Sequence, residues 1–211
     1  MIRLAFGFSL ILACHASASL ARASDVEFAI DVMSVLSKSG CNAGTCHGNL
    51  NGKGGFKLSL RGQDAIDDFR SLVFASRGRR VNPTAPEQSL LLQKATGTVP
   101  HRGGIRFTPD SSHYRVLVDW IRGGSKGPNA SAPQVVRLEV DPPEAIVAAP
   151  SSHIQFRTRA YFSDGSSREV TNDACYELSN LNANVDASGS VSRSKFGETT
   201  LIVRYLQQQV P

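Results

Sequence analysis

The apolar positions of the chain change period partway along it. In "DVEFAIDVMSVLSKSG" (25–40), Phe28, Val32, Val35 and Leu36 recur at helical spacing and predict an amphipathic helix. Ser24, with Glu27 three residues on, makes a capping-box pattern at its start, and Gly40 ends it. "APEQSLLLQKATG" (85–97) predicts a second, short helix, with Pro86 near its start and Gly97 after it. "SSHYRVLVDWIRGG" (111–124) predicts a third, with Tyr114, Leu117, Trp120 and Ile121 on its apolar face and Gly123 as its stop. Glycine-rich loops separate these helices, notably "GNLNGKGGF" (48–56). Further on the period becomes two. "HIQFRTRAYF" (153–162) sets Ile154, Phe156, Thr158, Ala160 and Phe162 on one face of a strand. "SDGS" is a hairpin signal leading into "REVT", "NVDASGSVSR" is a second hairpin around Ser188 and Gly189, and "TTLIVRYL" is a late strand. Short strands at close spacing, with no helical pattern among them, predict a β-sandwich.

Composition divides the chain at the same place. "GGSKGPNASAP" (123–133) is rich in Gly, Ser and Pro and reads as a linker. Through Pro133 there are 16 Lys and Arg against 9 Asp and Glu; from Gln134 onward there are 7 against 9. The basic run "RGRR" (77–80) reads as a solvated loop rather than a nucleic-acid site. At the start, Arg3, the apolar run Leu4–Ala13 and the small residues "HASASLARAS" follow the order of a secretory signal, with cleavage after Ala18 or Ala23. "ILAC", ending at Cys14, is only a loose lipoprotein box, because Leu12 fits it poorly. No later segment is long and apolar enough to span a bilayer. The expected layout is a signal peptide over 1–23, a helical domain over 24–124, a linker over 125–134 and a β domain over 135–211. Export to the periplasm or cell surface makes nucleic acid an unsuitable partner.

The chemistry concentrates in "CNAGTCHG" (41–48). Two thiols with an imidazole directly after the second suit covalent haem: the thiols add to the vinyl groups and the imidazole binds the iron. The usual spacing has two residues between the cysteines; here there are four, Asn42 to Thr45, whose small side chains and Gly44 let the segment bulge. A Cys41–Cys46 disulfide suits an oxidising compartment but leaves His47 unexplained. Zinc wants four ligands, and this half has no second Cys pair. A redox dithiol has closer cysteines on a βαβ unit. The nearby Gly52–Lys53 pair is not a P-loop, because His47 stands where glycine is needed and Gly54 where Ser or Thr is needed. On the motif alone, haem and disulfide both stay open.

The stretches "DVMSVLSKSGCNAGTCHG", "KGGFKLSLRGQD", "RRVNPTAPEQSLLLQKATGTVPHRGGIRF" and "YRVLVDWIRGG" together resemble a class I cytochrome c domain, and more closely the cytochrome c-like domain of planctomycete exported proteins. The resemblance implies an all-α domain carrying one haem c on Cys41 and Cys46, with His47 as proximal iron ligand. The chain departs from the family at the sixth ligand. Where many members place Met, "TVPHRGG" has Val99, and the only methionines are Met1 and Met33. His101 is the candidate distal ligand and His113 the second choice; bis-histidine iron has a lower potential than His/Met iron. "VVRLEVDPPEAIVAAPSSHIQFRTRAYFSDGSSREVTNDACYELSN" followed by "VDASGSVSRSKFGETTLIVRY" resembles a bacterial Ig-like domain of group 2. That implies a spacer or interaction module without catalytic residues; the family pattern runs on after "VRY" into one more strand, and because this chain stops at "LQQQVP" the expectation is a truncated product lacking its last strand, with an unpaired sheet edge. Trp120 reads as a core residue and Cys175 as a lone buried thiol.

The expected protein is therefore multi-domain, an all-α cytochrome c-like domain followed by an all-β Ig-like sandwich. It is expected to be an exported electron carrier, not an enzyme, with a redox partner protein of acidic character. The rival is a non-haem surface or adhesion protein with a Cys41–Cys46 disulfide. A third reading, haem-based sensing or peroxidase chemistry, requires that His101 leave the iron open.

Overall fold

The computed structural model describes residues 26–148 and 151–211. The leader read over 1–23, with Cys14, and the Ser24 cap lie outside the described residues. No helix among the described residues is long and apolar enough to cross a membrane.

The first helix opens as a π-helical turn, Phe28–Val32, and continues as α1 (Met33–Lys38). The Glu27 carboxylate caps it by accepting from the Ala29 N–H. Gly40, at φ +70°, turns the chain out of the helix, and the Cys41 N–H closes on the Leu36 carbonyl at 2.9 Å. α2 (Ala65–Val73) was not foreseen. It starts on Asp64, whose carboxylate accepts from the Asp67 N–H, and it buries only Asp68 and Leu72. The 85–97 stretch splits into a 3₁₀ turn, Pro86–Gln88, an extended Ser89, and α3 (Leu90–Ala95). α4 (Ser112–Arg122) forms as the pattern predicts, capped by the Ser111 hydroxyl, with Leu117, Val118, Trp120 and Ile121 buried.

The expected fold class, an all-α cytochrome c-like domain followed by an all-β Ig-like sandwich, is not what the chain adopts. The structure is mixed. α1 and α3 have six residues each, α2 nine and α4 eleven. Glycines at positive φ at 40, 52, 54, 55, 62, 78, 97 and 104 break the helical half into turns. The strand half forms three small antiparallel sheets instead of two facing ones. β1 (Val135–Asp141), β3 (Arg157–Phe162) and β4 (Ser167–Glu169) make the first, in the order β1-β3-β4. The second is β2 (His153–Gln155), β7 (Ser190–Arg193) and β6 (Ala183–Val185). The third is β5 (Cys175–Leu178), β8 (Leu201–Tyr205) and β9 (Gln208–Val210). The alternating stretch 153–162 is cut at Phe156, whose N–H bonds the Gly189 carbonyl; its two pieces join different sheets. The tail supplies a strand after all: Leu206, at φ +51°, turns it back so that β9 pairs with β8.

One apolar core runs through both halves. Phe28, Met33, Leu36, Leu72, Leu117 and Trp120 cluster with Leu138, Ala160, Phe162, Val203 and Tyr205. Polar bonds reinforce the seam. Lys38 Nζ donates to the carbonyls of Ala174 and Ala187, both at 2.5 Å. Arg168 pairs with Asp31 at 2.7 Å. The segment between α4 and β1 is also tied down. Trp120 Nε1 donates to the Lys126 carbonyl, the Asn129 N–H to the Glu27 carboxylate, and Gly127 lies against the Phe69 ring.

Candidate functional site

Residues 41–48 coil into a set of nested turns. The Ala43 carbonyl accepts from the N–H groups of Cys46 (2.9 Å) and Gly48 (3.0 Å), and the Cys41 carbonyl accepts from the His47 N–H (3.0 Å). This last bond brings both ends of the motif together across the four residues between the cysteines. Asn42, buried at 2% exposure, anchors the bulge: its amide donates to the Ser37 hydroxyl, and its carbonyl accepts from the Arg61 N–H. Gly48 is required by close packing, because a Cβ there would lie 2.0 Å from the Asn42 carbonyl oxygen.

His47 faces a tight turn from Lys53 to Phe56, where Gly54 and Gly55 take φ of +60° and +69°. Its Nδ1 lies 3.0 Å from the Phe56 carbonyl. A carbonyl can only accept, so Nδ1 carries the proton and Nε2 of the neutral ring keeps its lone pair. Burial lowers the His47 pKa from its ordinary value; the backbone bonds to Phe56 and Lys53 oppose the shift, and the charges of His101 and Arg80 add to it. His101 repeats the arrangement: its Nδ1 lies 3.0 Å from the Gly104 carbonyl, in a turn closed by the Gly104 N–H to the His101 carbonyl. Gly103 lies against the ring, where a Cβ would come within 2.7 Å of Cε1. The two imidazoles are parallel within 8°, with centroids 6.2 Å apart. Two imidazoles bound through nitrogen to one metal, with bonds of about 2 Å on opposite sides, would have centroids about 6 Å apart. The separation matches that distance, although the rings are stacked and ligation to one iron would turn their Nε2 atoms toward each other.

The two thiols differ. Burial pushes the Cys41 thiol up to about 11, against the opposing charge of Arg106. Burial also works to raise Cys46, but hydrogen bonds from Arg106 and Thr45, with the charges of Arg106 and Lys53, outweigh it and bring its pKa below the ordinary value. Arg106 Nη2 lies 3.5 Å from the Cys46 sulfur. Cys41, Cys46 and Cys175 are free thiols in this structure. Apolar side chains stand exposed close by in sequence and space: Leu50 (83%), Leu60 (44%), which lies over Gly44, and Ile105 (68%), beside Arg106.

The structure thus brings together Cys41, Cys46, His47 and His101 from two distant segments. His113 goes elsewhere and pairs with Asp173 at 3.4 Å. Among the described residues, no group of three or more His, Cys, Asp or Glu side chains is arranged to hold a bare metal ion. Three supporting residues were not foreseen. Arg106 gave no signal beyond its neighbourhood. Arg80 was read as solvated, yet it is 5% exposed and braces the turn at Phe56. Asp68 is buried and accepts from the Ser59 N–H and hydroxyl, fixing the segment whose Leu58 N–H bonds the His47 carbonyl.

Compared with known proteins, the chain matches no protein-family profile, and no curated protein is detectably similar to it.

Proposed function

We propose that the protein carries one covalent haem c, with Cys41 and Cys46 as thioether donors and His47 and His101 as axial ligands, and that it works as an exported electron carrier. The observation that carries this reading is the pair of parallel imidazoles 6.2 Å apart, each with Nδ1 committed to a backbone carbonyl. Such carbonyl partners orient ligating histidines and raise their basicity. The haem, when bound, supplies a one-electron iron couple. If both His47 and His101 held the group, its one-electron chemistry would favour electron transfer over sensing or peroxidase chemistry. Leu50, Leu60 and Ile105 are exposed apolar side chains in the segments that carry the four residues. Lys53, Arg102 and Arg106 lie in the same segments and bring positive charge, which suits an acidic redox partner. The strand half offers a spacer or interaction surface without catalytic residues.

The test is periplasmic expression with a c-type maturation system. The denatured protein should retain a Soret band and a mass increase of one haem. His101→Ala should convert a six-coordinate low-spin ferric spectrum to a different spin state. A haem-free product with Cys41 and Cys46 joined by a disulfide would overturn the reading in favour of a non-haem surface protein.

A further inference from the structure

Arg80 is a buried cation whose partners among the described residues include no acidic side chain. It follows a strained turn in which Ser76, Arg77 and Gly78 all take positive φ. Arg77 and Arg79 of the same run are exposed; Arg80 alone turns inward. Its Nη1 donates to the carbonyls of Ser71 (3.1 Å) and Ala75 (3.0 Å) at the C-terminal end of α2, where unpaired carbonyls and the helix dipole favour a cation. Its Nη2 donates to the Gly55 carbonyl at 2.8 Å and lies 3.4 Å from the Ser76 hydroxyl. The guanidinium carbon sits 4.5 Å from the centroid of the Phe56 ring. Only a planar fork with donors on both sides can hold a helix end and a separate turn at once.

The turn it clamps is the one that orients His47. Gly54 and Gly55 give that turn no side chains with which to hold itself, and glycine resists ordering more than any other residue. Phe56 then uses both of its faces: its carbonyl takes the His47 Nδ1–H, and its ring lies 4.7 Å from the imidazole centroid. We infer that Arg80 is a positioning residue. It fixes the Lys53–Phe56 turn, so that His47 is held as the Nδ1–H tautomer with Nε2 free. With haem bound, its uncompensated charge behind the proximal ligand favours the reduced iron and raises the potential. The second part rests on the haem reading proposed above; the first does not.

The experiment uses the full chain in two states. In the haem-free protein, ¹⁵N NMR of the imidazole reads the His47 tautomer. In the haem-loaded protein, redox titration reads the midpoint potential. Arg80→Lys keeps the charge and loses the fork; Arg80→Gln loses both. Arg80→Lys should give a mixed His47 tautomer with little fall in potential. Arg80→Gln should give the mixture and a clearly lower potential. If Arg80→Gln does not fold, Arg80→Lys and Phe56→Leu carry the tautomer test, and Phe56→Leu should show the same mixture. An unchanged Nδ1–H tautomer in the folded variants overturns the inference. An unchanged potential in a loaded, folded Arg80→Gln overturns the tuning role. A protein that takes up no haem defeats the haem reading, while the tautomer measurement still decides the role of Arg80.

Discussion

Gly48 follows His47 directly, and its φ is not positive, so its side chain is excluded by packing and not by backbone conformation. A Cβ at this position would meet the Asn42 carbonyl oxygen at 2.0 Å, the Asn42 carbonyl carbon at 2.7 Å and the Ala43 oxygen at 3.0 Å. All three atoms are backbone, so no rotamer change relieves the clash. The loop must open, and the bonds Gly48 N–H to Ala43 and His47 N–H to Cys41, both 3.0 Å, are the ones in its way. Each is worth about 1 kcal/mol net. Overpacking strain adds about 1–3 kcal/mol. Gly48→Ala should therefore destabilise the haem-free protein by about 3–5 kcal/mol, read as a lower denaturant midpoint at constant slope. It should also reduce haem incorporation, because His47 loses its tie to Cys41. Gly44 provides the control within the same loop. A Cβ there would lie 3.6 Å from Leu60 Cδ1, an ordinary contact, and its φ is not positive either. Gly44→Ala should stay within about 0.5 kcal/mol of the parent. Equal stabilities for the two variants would refute the nested-turn account of the motif.

The thiols should react unequally. Iodoacetamide at pH 8 should label Cys46 first and Cys41 slowly, and Arg106→Gln should slow Cys46 several-fold; peptide mass mapping reads both rates, and equal labelling in the parent would contradict the Arg106 contact. Lys38→Met removes two charged hydrogen bonds across the seam and should cost about 2 kcal/mol in a denaturant melt, while an unchanged midpoint would show that the seam does not depend on it. Asp68 has a folded pKa raised above 3.8 by burial, against its bonds from Ser59, so the folded state takes up its proton first as the pH falls. Its contribution to stability thus grows between the folded pKa and 3.8 and declines as the pH rises through that window. Asp68→Asn should remove this component from the stability–pH curve, and a parallel curve for the variant would count against it.

Elements with a wide apolar stripe and a clear stop were legible in the sequence. α4 has four buried apolar residues, a serine cap and a glycine end, and each is a local signal. α2 has none of this on its inner face except Leu72, because its other buried residue is a carboxylate satisfied by Ser59. Alternation found the strand residues correctly: Phe156, Thr158, Ala160 and Phe162 are all buried. It could not find the sheets, because the break at Phe156 is made by Gly189, more than thirty residues away. The site divides in the same way. Cys41, Cys46 and His47 are neighbours in sequence, and their turn is held mostly by its own backbone. His101 could be proposed because Val99 cannot ligate, but its parallel placement depends on the Gly104 carbonyl and on Gly103 beside the ring. Arg80 was illegible: a run of arginines does not reveal which one turns inward.

The change of hydrophobic period also hid a shared element. The π-turn and α1 together are shorter than a helix that is stable alone in water. Yet Phe28, Ile30, Val32, Met33, Ser34, Val35 and Leu36 are all buried, so the helix is covered nearly all round. A single amphipathic face against the helical half would not do this. The strand half closes the remainder, through Arg168 on Asp31 and the Ala174 and Ala187 carbonyls on Lys38. Cys41 leaves from the end of this helix, its N–H bonded to Leu36. The geometry of the motif therefore depends on packing from the strand half as well as on the turns around it. Loosening the seam should disturb His47 although no residue within 41–48 is substituted.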